Sequence, residues 1–211
     1  MRLMIRAAAV LAFVVAAPAW AQETASFSIG SVDYTAPIPT GYCLPVSAED
    51  KRRVEAVAAY DDQNLSVLSL VSCGPNANNL DSFVVKVAKS QVNRPAKLSD
   101  LLNGPEFAQS GVLAPVDDRE MERIANRETG MDLAVESSIK ILGHDDVCGY
   151  LGGTVAVSSV DKLYVTVAGC MTVVGDRLLM VIFSAPGNNP ADITRLRRKA
   201  RDFAVSIRAR R

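Results

Sequence analysis

Residues 163–207, LYVTVAGCMTVVGDRLLMVIFSAPGNNPADITRLRRKARDFAVSI, decide the fold. Val174-Gly175-Asp176 forms a tight turn between two strand-like runs. LLMVIFS (178–184) is apolar on both faces, which predicts a central strand covered on both sides. Asn189 then caps a helix, with Pro190 at its first position and Asp192 at its third. Ile193, Leu196, Ala200, Phe203 and Ile207 recur at spacings of three and four. That stripe predicts a long C-terminal helix lying on the sheet.

Upstream, residues 154–158 and 163–173 continue an antiparallel meander. In residues 132–141, Leu133, Val135, Ser137, Ile139 and Ile141 point one way and Asp132, Glu136, Ser138 and Lys140 the other, which predicts one strand with one wet face. In the first half, Phe27 to Ile29 and then Val32, Tyr34, Ala36 and Ile38 alternate. Pro37 and Pro39 lack an N–H to donate and place that extended segment at an edge. Ser47, with Asp50 three residues on, opens a helix whose inner stripe is Val54, Val57 and Ala58. Residues 65–73 and 83–87 are strands separated by the loop signal GPNANN. Pro95, Gly104-Pro105, Gly111 and Pro115 break residues 91–116 into short pieces. Leu98, Leu101 and Leu102 suggest one short helix there, and this span is the candidate groove wall. Residues 117–128 form a charged helix with Met121, Ile124 and Ala125 inward.

The N-terminus carries Arg2 and Arg6, an apolar run over 7–17, and Ala19-Trp20-Ala21, the small-x-small signature of a cleavable signal peptide over 1–21. The apolar run falls short of the ~20 residues that span a bilayer. Residues 22–211 then form a single α+β domain of ordinary size. The leader is alanine-rich and the chain holds 16 Arg against 7 Lys, a usage that points to a bacterium with a GC-rich genome. The expected compartment is the periplasm or the exterior. Formal charge is zero overall, but residues from 190 onward carry eight basic and two acidic side chains. An acidic body therefore bears a basic tail, a distribution that argues against nucleic acid.

The four cysteines, Cys43, Cys73, Cys148 and Cys170, are even in number in a chain that carries an export signal, so two disulfides are expected. Three pairings are open. Cys43 and Cys73 bracket one helix and one strand. Cys148 and Cys170 lie on successive strands with a turn near 158–162, and a bulge at Gly152-Gly153 would absorb any offset. Strand placement favours Cys43–Cys73 and Cys148–Cys170. Four thiolates can also hold zinc, but the usual pairs two to four residues apart are missing, and so is a redox C-x-x-C.

YTAPIPTGY (34–42) is similar to the early extended P-x-G-aromatic segment of the PsbP-like fold, with Tyr42 where tryptophan is usual. LLMVIFSAP (178–186) followed by a helix ending FAVSI (203–207) resembles its close. The resemblance implies a twisted antiparallel sheet flanked by helices. It also implies a noncatalytic binding role without naming a partner.

His144, Asp145 and Asp146 are the candidate metal ligands; His144 is the sole histidine. Three consecutive strand residues cannot all face one ion, so such a site needs the loop that Gly143 permits. Asp61-Asp62, Asp117-Asp118 and Asp145-Asp146 are the acid pairs available for two-carboxylate hydrolysis. No G-x-S-x-G, P-loop or G-x-G-x-x-G occurs, and no cofactor is expected. Arg195, Arg197, Arg198, Lys199, Arg201, Arg208, Arg210 and Arg211 leave the apolar stripe of the last helix free. Arg197, Arg198 and Arg201 are the candidate contact with an anionic surface, a glycan or an acidic protein. The expectation is an exported, disulfide-stabilised noncatalytic binding or accessory protein. The alternative is a hydrolase built on paired carboxylates or on a metal at His144.

Overall fold

The computed structural model describes residues 23–59, 61–75, 77–78, 80–103, 118–119, 122–123, 126, 132–158 and 162–210. The expected leader, residues 104–116 of the broken span, and Met121, Ile124 and Ala125 of the charged helix lie outside them, as does the Val57 side chain.

Strands β1 (Thr24–Ile29) and β2 (Val32–Pro37) form a hairpin, followed by β3 (Tyr42–Cys43), α1 (Ala48–Ala59), β4 (Asn64–Ser72) and β5 (Ser82–Ala88). Then come α2 (Leu98–Asn103), β6 (Ala134–Ser137), β7 (Lys140–His144), β8 (Gly149–Ser158), β9 (Lys162–Val174) and β10 (Arg177–Pro186). The helix α3 (Pro190–Ser206) and β11 (Arg208–Arg210) close the chain. The architecture is α+β, dominated by an antiparallel sheet in the order β3-β4-β5-β10-β9-β8-β6, with β7 also on β8.

Strand β10 lies in mid-sheet because both its faces are apolar. Val181 and Phe183 are fully buried on one face, and Met180 is buried on the other. Its hairpin with β9 turns at Gly175 and Asp176, with φ of 55° and 61°. Two successive left-handed residues suit the right-handed twist of the flanking strands. Glycine is needed at 175 for space as well, since a Cβ there would stand 2.7 Å from Ala209 Cβ.

Helix α3 docks across β8, β9 and β10. Leu196, Ala200, Phe203, Ala204 and Ile207 are buried and Ile193 is half-buried. Each large side chain so removed from water contributes roughly 1.5–3 kcal/mol. Phe83 stands at the centre, 4.5 Å from the Phe203 ring and 4.6 Å from the Phe183 ring. The Asn189 side chain accepts the Ala191 N–H and caps the helix. Ser47 does the same for the Asp50 N–H at α1, whose Val54 and Ala58 are only half-buried.

Strand β11 returns to β2, so the two ends of the described chain share a three-stranded sheet in the order β1-β2-β11. Strand β2 is thus the middle strand of the three and not an edge along its length; β11 reaches only Asp33 to Thr35, so Pro37, paired on its β1 side alone, needs no donor on the other. Tyr34, fully buried, stacks on Phe27 and donates its hydroxyl proton to the Val174 carbonyl at 3.0 Å.

Two expectations are corrected. The strand over 132–141 is two strands, because β6 and β7 pair with successive parts of the same β8 edge. The chain crosses between them at Ser138 and Ile139, tight against Gly153, where a Cβ would lie 2.4 Å from the Ser138 carbonyl oxygen. Gly152-Gly153 is therefore a close approach and not a bulge. The β8–β9 ladder runs unshifted from Gly149↔Met171 to Ser158↔Lys162, and the register shift falls between Ile141 and Gly143 of β7.

Candidate functional site

Cys148 precedes β8 and is bonded to Cys170 on β9, with Cα atoms 5.2 Å apart. Tyr150 is the residue opposite Cys170, so the bond runs diagonally. The second disulfide joins Cys43 and Cys73, Cα atoms 5.9 Å apart. Cys148 and Cys170 are fully buried. With its sulfur spent in a disulfide, Cys148 is no metal ligand.

The bond anchors the turn that carries Asp145. Asp145 Oδ1 accepts the N–H groups of Val147 and Cys148, each at 2.8 Å. Its Oδ2 accepts the Tyr150 hydroxyl at 2.5 Å and Arg201 Nε at 2.7 Å. Burial works against ionisation, but Tyr150, Arg201 and the two N–H groups outweigh it and hold the carboxyl well below the usual carboxylate range. Burial, and then the hydrogen bond to Asp145, push the Tyr150 phenol up to about 12, so it stays a donor. Four donors fill the four lone-pair positions of a carboxylate.

Around this turn opens a cleft of about 370 Å³, lined on the strand side by Leu142, Gly143, His144, Asp145 and Tyr150. The helix side is Thr194, Arg197, Arg198 and Arg201. Those four stand at i, i+3, i+4 and i+7, one face of α3, immediately beside the buried stripe. Arg201 is committed to Asp145 and reaches Asp146 at 3.5 Å. The Arg197 guanidinium lies 5.0 Å over the Tyr150 ring, a stacking that leaves its in-plane donors usable. Arg198 is exposed, with no hydrogen bond or ion pair among the described residues. His144, the last residue of β7, is exposed at the mouth. Lys199, one position on, faces the other flank, 5.4 Å over Tyr42 and 5.9 Å over Phe183.

The candidate residues thus meet, but as a cationic cleft. Among the described residues, no three His, Cys, Asp or Glu side chains stand close enough to hold a metal ion. Asp146 is 86% exposed. Asp61, three residues ahead of β4, accepts from Lys86 Nζ at 2.5 Å and from the Asn64 N–H at 2.9 Å. Asp62 is exposed and Asp117 lies outside the described residues. Of the nine lining residues, Leu142, Tyr150 and Thr194 are not singled out by the sequence. Thr194 had a signal, since it begins the i, i+3, i+4, i+7 row.

A further arrangement protects the outer edge of β6. The Leu133, Val135 and Ser137 N–H groups donate to Asn126, Glu122 and Asp118 at 2.6, 2.9 and 3.2 Å. Helical i, i+4 spacing is about 6 Å and strand i, i+2 spacing about 6.7 Å, so one row matches the other. Acceptors on the helix thereby occupy donors that an open edge would present to another chain.

No helix among the described residues is long and apolar enough to cross a membrane. No family model matches the sequence, and no curated protein does. Among solved structures, the solution structure of cyanobacterial PsbP (CyanoP) from Synechocystis sp. PCC 6803 aligns over 92% of this chain and 96% of its own. Identity is 11% and the TM-score 0.42.

Proposed function

We propose that this chain is an exported, disulfide-stabilised accessory protein that recognises an anionic partner through the cleft between α3 and the β7–β8 turn, without catalysing a reaction on it. The observation that carries this reading is the row Arg197, Arg198 and Arg201 opening into one cleft, with a single lining carboxylate to oppose it. Asp145 is saturated by its own chain, which removes it from acid–base work, and the Tyr150 proton is held too tightly to move near neutral pH. Two disulfides and the leader motif support the periplasm or the exterior as its place.

The test is capture from the native cell envelope followed by mass spectrometry. The disulfide-intact chain from residue 22 is compared with Arg197→Glu/Arg198→Glu and with Arg208→Glu/Arg210→Glu, which lies on β11 away from the cleft. A partner held by the wild type and the β11 variant, and lost by the cleft variant, is the expected result. Equal capture by all three would contradict the assignment.

A further inference from the structure

We infer that the cleft binds a doubly charged oxyanion of the phosphate-monoester class, carried on a small organic body. This deepens the reading above and rests on the same cleft. The lining places three guanidiniums against one carboxylate, a formal balance of +2. Asp146 adds little, being 86% exposed and turned to water that screens it. A dianion matches that balance.

The donors also favour a tetrahedral head over a lone carboxylate. The stack on Tyr150 positions Arg197, and Thr194 and Arg198 lie one turn apart on the same row. A carboxylate has two oxygens and fits one guanidinium fork; a phosphate monoester has three terminal oxygens to distribute over Arg197, Arg198 and Thr194. At about 370 Å³ the cleft exceeds a bare phosphate and falls in the range of organic ligands. Leu142 and Gly143 give the body a wall without charge. Asp145 stands as a built-in competitor, since it occupies Arg201 through Nε at 2.7 Å.

The shared chemistry is the phosphate head, and its source is either a soluble phosphomonoester or a lipid headgroup. Calorimetric titration of the disulfide-intact chain from residue 22, in low salt, uses inorganic phosphate, glycerol phosphate, succinate, and phosphatidylcholine vesicles containing phosphatidic acid. One site per chain is expected for phosphate and glycerol phosphate, with succinate weaker. Arg198→Gln, at an exposed position, should weaken phosphate binding about tenfold, the loss of one charge-assisted hydrogen bond. Asp145→Asn should strengthen it severalfold by releasing Arg201, whereas a carboxylate that served only to cap the turn would give no gain. If Asp145→Asn fails to fold, Arg198→Gln decides alone. Vesicle binding that glycerol phosphate displaces assigns the lipid source. Soluble binding without vesicle binding assigns the other, and both support the site. No phosphate binding at millimolar concentration, or binding to any phosphate probe that Arg198→Gln leaves unchanged, overturns the inference. Partner capture that still depends on the cleft, without phosphate binding, removes this inference and leaves the proposed function standing.

Discussion

Arg198 and Lys199 are neighbours in the chain and reach opposite flanks of α3. Lys199 is half-buried over Tyr42 and Phe183. Burial lowers its pKa, the charge of Arg195 adds to that, and Asp81 opposes both. Its charge is spent on the protein's own rings. Arg198 projects into the cleft with no hydrogen bond or ion pair among the described residues. A count of basic residues treats the two alike. What separates them is what each side chain meets, and that divides a charge set over the protein's own rings from a charge that no described residue engages.

The largest effect should come from the floor under Lys199. Phe183 is fully buried between Tyr42 and Phe83, so Phe183→Ala should lower unfolding free energy by about 3–5 kcal/mol. Arg198→Gln should stay within about 0.5 kcal/mol of wild type. Urea midpoints read both, and equal costs on the two flanks would break the contrast.

A smaller effect concerns the turn that shapes the cleft. Because the folded-state pKa of Asp145 is depressed, its contribution to stability is complete above the unfolded value of about 3.9 and is lost as pH falls toward the folded value. Urea midpoints of the wild type should therefore drop more steeply than those of Asp145→Asn between about pH 4 and about pH 2. Asp61 is depressed too, by Lys86 and Asn64 against its own burial, but it is common to both proteins and cancels. Parallel profiles would mean that Tyr150 and Arg201 do not hold the carboxylate.

Local patterns made part of this legible in the sequence. The 193–207 stripe and the Gly175-Asp176 turn each carry their own periodicity or backbone requirement, and the structure has a helix and a hairpin there. The row of Thr194, Arg197, Arg198 and Arg201 is equally local. Its facing wall is not, because Asp145 and Arg201 are 56 residues apart. They meet only because the β8–β9 hairpin and the helix crossing bring the β7 end under α3. Gly152-Gly153 was misread for a related reason. A glycine pair in a strand signals either a bulge or a close approach, and only the crossing at Ser138 and Ile139 selects the second. The break between β6 and β7 hid behind unbroken alternation, which reports the face of each side chain and not the continuity of pairing.

The central claim, that one flank of α3 is open to an anion and the other is closed on itself, is tested most directly by side-chain NMR during a phosphate titration at low salt. The account expects saturable shifts of the Arg197 and Arg198 Nε–Hε signals and of the Thr194 methyl, with the Lys199 ammonium and the Arg208 and Arg210 signals unmoved. Shifts of similar size at all of these cations, or at Lys199 alone, would contradict it.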